Sequence, residues 1–114
     1  MTLFRAYLIL ALFGLGSYTL VVGANHGWNL LPIFFSHIAE MNWSGQFNLD
    51  FMTFLGLFGI WVAWRHHFSC GGIALGVVAL LGGMMFLAPY LLWASAKAGG
   101  DAKILLLGHK RAAA

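Results

Sequence analysis

From Ala6 to Gly23 the chain carries no charged residue, from Phe47 to Trp64 only Asp50, and from Gly71 to Trp93 none. Each run is long enough to cross a hydrocarbon core of about 30 Å as a helix. Such runs leave little choice of fold, because backbone amides inside a bilayer must find their partners within the segment itself. Composition agrees, with 61% of 114 residues hydrophobic and 8% charged, which leaves room for a single membrane domain, 1–114. The expected fold class is an all-α membrane protein: three transmembrane helices at about 6–23, 47–64 and 71–93, one interfacial amphipathic helix at about 32–42, and a basic tail over 94–114. The weakly basic head and apolar middle of the first run also fit a cleavable signal peptide.

The interfacial helix comes from the stretch Asn25 to Asp50, too polar for the hydrocarbon and too apolar to leave it. Pro32 suits a first helical position. Ser36, His37, Glu40 and Ser44 then fall near one face, and Leu31, Phe34, Phe35, Ile38 and Met41 on the other. A re-entrant hairpin is the rival reading of this stretch.

Tryptophan prefers the headgroup level, so Trp28, Trp43 and Trp93 are expected at one membrane interface and Trp61 and Trp64 at the other. Small residues mark faces where helices approach closely. Gly72, Gly76, Ala79 and Gly83 form such a stripe on the third run, and Gly56, Gly59 and Ala63 a shorter one on the second. These stripes serve either the bundle itself or a partner protein's helix. If all three runs cross, Arg5 and Arg65 share one side, and Lys97, Lys103, Lys110 and Arg111 share the other. Short loops and the first helix dominate orientation, which puts the N-terminus and the Arg65 loop in the cytoplasm against the numerical majority.

The few charges also exclude functions. Six Lys and Arg face only Glu40, Asp50 and Asp101, with no basic stripe for nucleic acid, so lipid is the expected contact. Cys70 is the single cysteine and has no disulfide or thiolate-zinc companion. No phosphate loop, nucleophile elbow or zincin signature is present.

Asp50 is the residue most suggestive of chemistry, an acid about a turn inside the second run. It is either a functional carboxylate or one stabilised by the helix N-terminus, with Asn48 as a neighbouring cap. His26 and His37 belong to the same side, so Asp50 with His37 or His26 is the candidate acid–base set, with Glu40 as a further ligand. The spacing specifies no metal site. No histidine lies mid-span, so this chain alone is expected to bind no tetrapyrrole or other cofactor. Peripheral contact with a partner's haem or pigment is the form left open.

Leu31-Pro32-Ile33-Phe34-Phe35, Asn48-Leu49-Asp50 opening an apolar run, and Tyr90-Leu91-Leu92 closing the last one resemble a family of short bacterial membrane proteins. That family is catalogued only as domain of unknown function 2834, and the resemblance covers roughly Ala6 to Trp93. It implies three spans, a cytoplasmic N-terminus and an intramembrane acid at Asp50, and it supplies no activity. The long basic tail and the weakly charged loop between the second and third runs depart from it.

Sparse chemistry, small-residue stripes and an aromatic surface together point to a non-catalytic accessory or assembly subunit of a larger membrane complex, respiratory or photosynthetic, with partner subunits in the bacterial cytoplasmic membrane. The alternative is a small membrane enzyme or carrier for a lipid-like substrate, using Asp50 with His37 or His26.

Overall fold

Two helices are long and apolar enough to cross a membrane, α1 (Thr2–His26) and α3 (Trp43–Arg65). The computed structural model describes residues 1–113, and every regular element among them is helical. At 1.5 Å per residue, α1 is about 38 Å long and α3 about 34 Å. The sequence predicts both, but each extends several residues further at its N-terminus. α3 gains its extra turn from Asn42, whose side chain accepts a hydrogen bond from Gly45 N at 2.8 Å.

Apolar residues surround α1, yet it buries only Leu8 and Gly23. Leu3, Leu10, Phe13 and Leu20 are all more than 60% exposed. A helix at the heart of a water-soluble domain would bury such residues, whereas one facing lipid need not.

The third apolar run is the main departure from expectation. It forms α4 (Cys70–Gly82) and α5 (Met84–Lys97), which separate at Gly83. His66 shows what happens there. A Cβ built at Gly72, early in α4, would lie 2.6 Å from His66 Cβ, and Tyr90 Oη, midway along α5, is 2.8 Å from His66 Nε2. A straight helix would hold positions 72 and 90 about 27 Å apart. The chain therefore folds back on itself. Gly83 makes the reversal with φ 57° and ψ −138°, a conformation side chains strongly disfavour. Each arm of the hairpin rises only about 20 Å, and its tip lies beside Phe51 and Leu55 of α3.

The arms part to serve different neighbours, α4 packing on α3 and α5 on α1. α3 and α4 touch at their backbones: a Cβ at Gly76 would sit 2.6 Å from Gly59 O, and one at Gly59 2.9 Å from Gly76 O. The small-residue stripes thus meet inside the chain. Gly56 is the exception, with nothing near its missing Cβ. Val62, Ala79, Leu87 and Tyr90 form the core where α3 and the hairpin meet, and Ala94, Ala98 and Leu105 pack with Met1 and Phe4 at the hairpin's open end.

α2 (Leu30–Ala39) begins two residues before and ends three before the expected interfacial helix. Asn48 Nδ2 donates to Phe34 O at 3.2 Å, and Gly45 packs against His37 O, so α2 runs antiparallel along the first turns of α3.

Folding back corrects two further expectations. Trp93, expected beside Trp28 and Trp43, has its ring 6.0 Å from that of Tyr90, which is 6.2 Å from Trp61. It belongs to the end of Trp61 and Trp64. The cations gather there as well. Two short helices, α6 (Ala102–Leu107) and α7 (His109–Ala113), bring Lys103, Lys110 and Arg111 beneath Arg65, and Lys97 and Arg5 lie at the same end. Six cations against Asp101 give this end +5, while Glu40 and Asp50 give the opposite end −2, together the chain's +3. We call these the basic and the acidic end.

Candidate functional site

At the acidic end the expected acid–base set does not assemble. Because α3 begins at Trp43, Asp50 lies two turns inside the helix, beyond the reach of the N-terminal amides. Its side chain sits exposed among Phe47, Phe51 and Phe54, and its carboxylate makes no hydrogen bond among the described residues. Thr53 Oγ1 reaches only the Asp50 backbone carbonyl, at 2.7 Å. Asn48, expected as a cap, is turned toward α2, and Glu40 accepts from Asn42 Nδ2 at 2.9 Å. His26 and His37 form no bond with Asp50 or Glu40, and no group of three or more His, Cys, Asp or Glu gathers to hold a metal among the described residues.

Polar order is found at the basic end instead, built by three arginines. Arg65 is 6% exposed, with its charge buried. Its Nε donates to Leu105 O at 2.8 Å, Nη1 to Tyr90 Oη at 3.1 Å and Nη2 to Ile104 O at 3.5 Å. Two carbonyls and a phenol carry that cation, with no carboxylate among its partners in the described residues. Arg5 donates from Nε and Nη2 to Ser95 Oγ and Ser95 O, both at 3.0 Å, which ties α1 to α5. Arg111 donates to Trp64 O at 3.1 Å and lies over the Trp64 ring at 4.2 Å, which ties α7 to α3. Each arginine clasps a different pair of segments, and Trp61 Nε1 adds a bond to Leu106 O at 3.1 Å.

Tyr90 Oη accepts from Arg65 and lies 2.8 Å from His66 Nε2, and with the imidazole neutral and protonated at Nδ1 the Tyr90 hydroxyl donates to Nε2. Partial burial, then the charges of Arg65 and His67, hold the His66 pKa below the ordinary imidazole value. The sign follows from linkage. As pH falls through the ordinary value, the unfolded chain takes up a proton that folded His66 refuses, so stability is full above that pH and declines below it. The melting temperature in detergent is expected to fall between about pH 7 and pH 5, and His66→Gln to flatten that fall. Parallel pH profiles for the two proteins would contradict the assignment.

Between α1 and α3, which make no extended contact of their own, lies an apolar groove floored by the hairpin. Tyr7, Leu8, Phe51, Phe54 and Leu87 line a cavity of about 350 Å³. A second one of about 480 Å³ shares Phe4, Phe54, Phe58 and Leu91 with it and continues toward the basic end. Among the described residues no carboxylate, imidazole or thiol lines these two cavities, and the nearest acid is Asp50, beside Phe51 and Phe54.

Sequence reasoning missed Ser95 and the role of Tyr90, whose partners lie 90 and about 25 positions away. Arg65 was legible only as a stop to an apolar run. No family model, curated protein or solved structure matches the chain.

Proposed function

We propose that this chain is an integral membrane protein of the bacterial cytoplasmic membrane, crossed by α1 and α3. The α4–α5 hairpin enters and leaves from the cytoplasmic side. We further propose that it acts as a non-catalytic accessory or assembly subunit of a larger membrane complex, respiratory or photosynthetic. The exposed apolar circumference of α1 and α3 supports the membrane reading. The charge asymmetry supports the orientation, because all six Lys and Arg gather at one end and that end is favoured inside. Kinship with the family the sequence resembles is part of this reading, and its implied cytoplasmic N-terminus agrees with the charge.

The observation that carries the subunit reading is the open groove. α1 and α3 make no extended contact, and the hairpin floors the space between them without filling it, which leaves Phe51, Phe54 and Tyr7 exposed. An apolar partner helix fits there, since helices in lipid associate by packing. Gly59 and Gly76 are occupied by each other within the fold, and only Gly56 of the shorter stripe stays open. Any haem or pigment would then belong to the partner, met at the groove.

One experiment separates the parts of this reading. The tagged full chain, carrying a topology reporter at its C-terminus, is extracted gently, and whatever co-purifies is identified together with its visible and near-infrared absorbance. The C-terminus is expected on the cytoplasmic side with the N-terminus, and a stoichiometric partner is expected to be lost on Phe54→Ala with Tyr7→Ala. A C-terminus on the far side would mean that the hairpin crosses. A lone monomeric protein would overturn the subunit reading.

A further inference from the structure

The basic end also holds a cleft beside the Arg65 clasp. Its volume is about 370 Å³, and Arg65, His66, His67, Lys97, His109 and Lys110 contribute to its wall, with Trp93 beside them. No Asp or Glu lines it. The chain brings these residues from three separate places: the end of α3 with the turn after it, the end of α5 and the start of α7. The hairpin and the docked tail are what make them neighbours.

From this geometry we infer that the cleft is a binding site for a phosphate-bearing anion, namely the headgroup of an anionic phospholipid in the leaflet at the basic end. Three observations carry it. The buried Arg65 guanidinium is unneutralised, since its three partners are dipoles and not carboxylates. A bound anion supplies negative charge to an end where six cations face only Asp101, which does not line the cleft. Lys97 and Lys110 are exposed and make no side-chain hydrogen bond among the described residues, so their ammonium groups are available to phosphate oxygens at little cost. The depth is right, because Trp93 on the cleft wall marks the headgroup level in a bilayer. Basic pockets at the cytoplasmic face between membrane helices recognise anionic headgroups in this way.

Division of labour follows from the bonding. Arg65 has most of its donors committed and acts on the anion through its field, whereas Lys97 and Lys110 make the contacts. Lys103, at the same end but outside the cleft, adds only general surface charge.

This inference rests on the membrane reading above but not on the subunit reading. The purified full chain in neutral detergent is examined by native mass spectrometry with phosphatidic acid, phosphatidylglycerol and phosphatidylcholine of matched acyl chains, and with glycerol 3-phosphate as a soluble phosphate ester. One anionic lipid per protein is expected, with phosphatidylcholine about tenfold weaker or more. Lys97→Gln with Lys110→Gln is expected to weaken anionic lipid binding about 25-fold, each lysine being worth about fivefold at a headgroup, while Lys103→Gln changes it less than about twofold. Glycerol 3-phosphate binding as tightly as phosphatidic acid would keep the anion site but overturn the lipid as its source. Much weaker binding supports the lipid. Equal binding of anionic and zwitterionic lipids, or a loss from Lys103→Gln equal to that from either cleft lysine, would overturn the site. Failure of the membrane reading shows separately, as a chain that stays soluble and monodisperse without detergent before any lipid is added.

Discussion

Replacing Arg65 by Met is expected to cost about 3 kcal/mol of stability and to loosen α6 and α7 from the bundle. Hydrogen bonds from a charged donor contribute about 1.5–3 kcal/mol each, and Arg65 makes two of good length, to Leu105 O and Tyr90 Oη. Methionine fills part of the volume but donates nothing, so the Leu105 carbonyl at the end of α6 and the Tyr90 hydroxyl lose their donor together. Lysine keeps the charge without the planar fork that reaches α5 and α6 at once, so Arg65→Lys is expected to recover only part of the loss. Thermal unfolding in detergent reads the stability. Limited trypsin digestion reads the tail, because Lys103 and Lys110 should be cut faster once α6 and α7 lift away. Unchanged melting together with unchanged digestion of Arg65→Met would mean that Arg65 does not hold the tail.

Gly76→Leu is expected to part α3 from α4. The added Cβ alone would lie 2.6 Å from Gly59 O and 3.3 Å from Ala63 Cβ, and the first of these is backbone that cannot rotate aside. Relief requires the helices to separate, which gives up the packing of Val62 against Ala79. Overpacking of this kind costs about 1–3 kcal/mol, and a leucine against backbone belongs at or above the upper end. Gly56, in the neighbouring stripe, provides the comparison. Nothing lies within 4 Å of its missing Cβ, so Gly56→Ala is expected to be neutral or to stabilise by up to about 1 kcal/mol through its helix preference. Melting curves of the two variants in the same detergent decide it. Equal effects would mean that the α3–α4 contact does not run through Gly76 and Gly59.

Much of the fold is legible from residues alone because helix formation is local. The charge-free run from Ala6 to Gly23 is long and apolar enough to cross a membrane as a helix, and Arg65 and His66 end the second helix within a residue of where its apolar run ends. The break at Gly83 left a signal too: Gly82-Gly83 sits midway in the third run, and a glycine pair there is as much a turn as a packing stripe. Nothing local separates those meanings. Length favoured a crossing, and the compact contacts of α4 with α3 and of α5 with α1 favoured the turn.

The candidate site divides the same way. Asp50 stood out by chemistry in an apolar context, yet its surroundings depend on the helical phase of α3 and on where α2 lies. Both turn it toward phenylalanines and away from His37. Arg65, Tyr90, Ser95 and Arg111 stood out little, since an arginine or tyrosine at the end of an apolar run is read as an interfacial anchor. Their bonds join positions 24 to 90 residues apart, and periodicity carries no information at such separations.

By itself, then, the sequence determined that this chain is helical, that α1 and α3 are long and apolar enough to cross a membrane, and that cations are few and acids fewer. These follow from hydropathy and backbone hydrogen bonding, which act within a turn or two of each residue. Only the tertiary structure decided that the chain folds back at Gly83, and with that, the sorting of charge. One reversal moves Lys97, Lys103, Lys110 and Arg111 to the end that holds Arg5 and Arg65, turning a division of two against four into six against none. The physical reason is that a glycine in a left-handed conformation costs little locally, while its consequence is set by the helices it brings together.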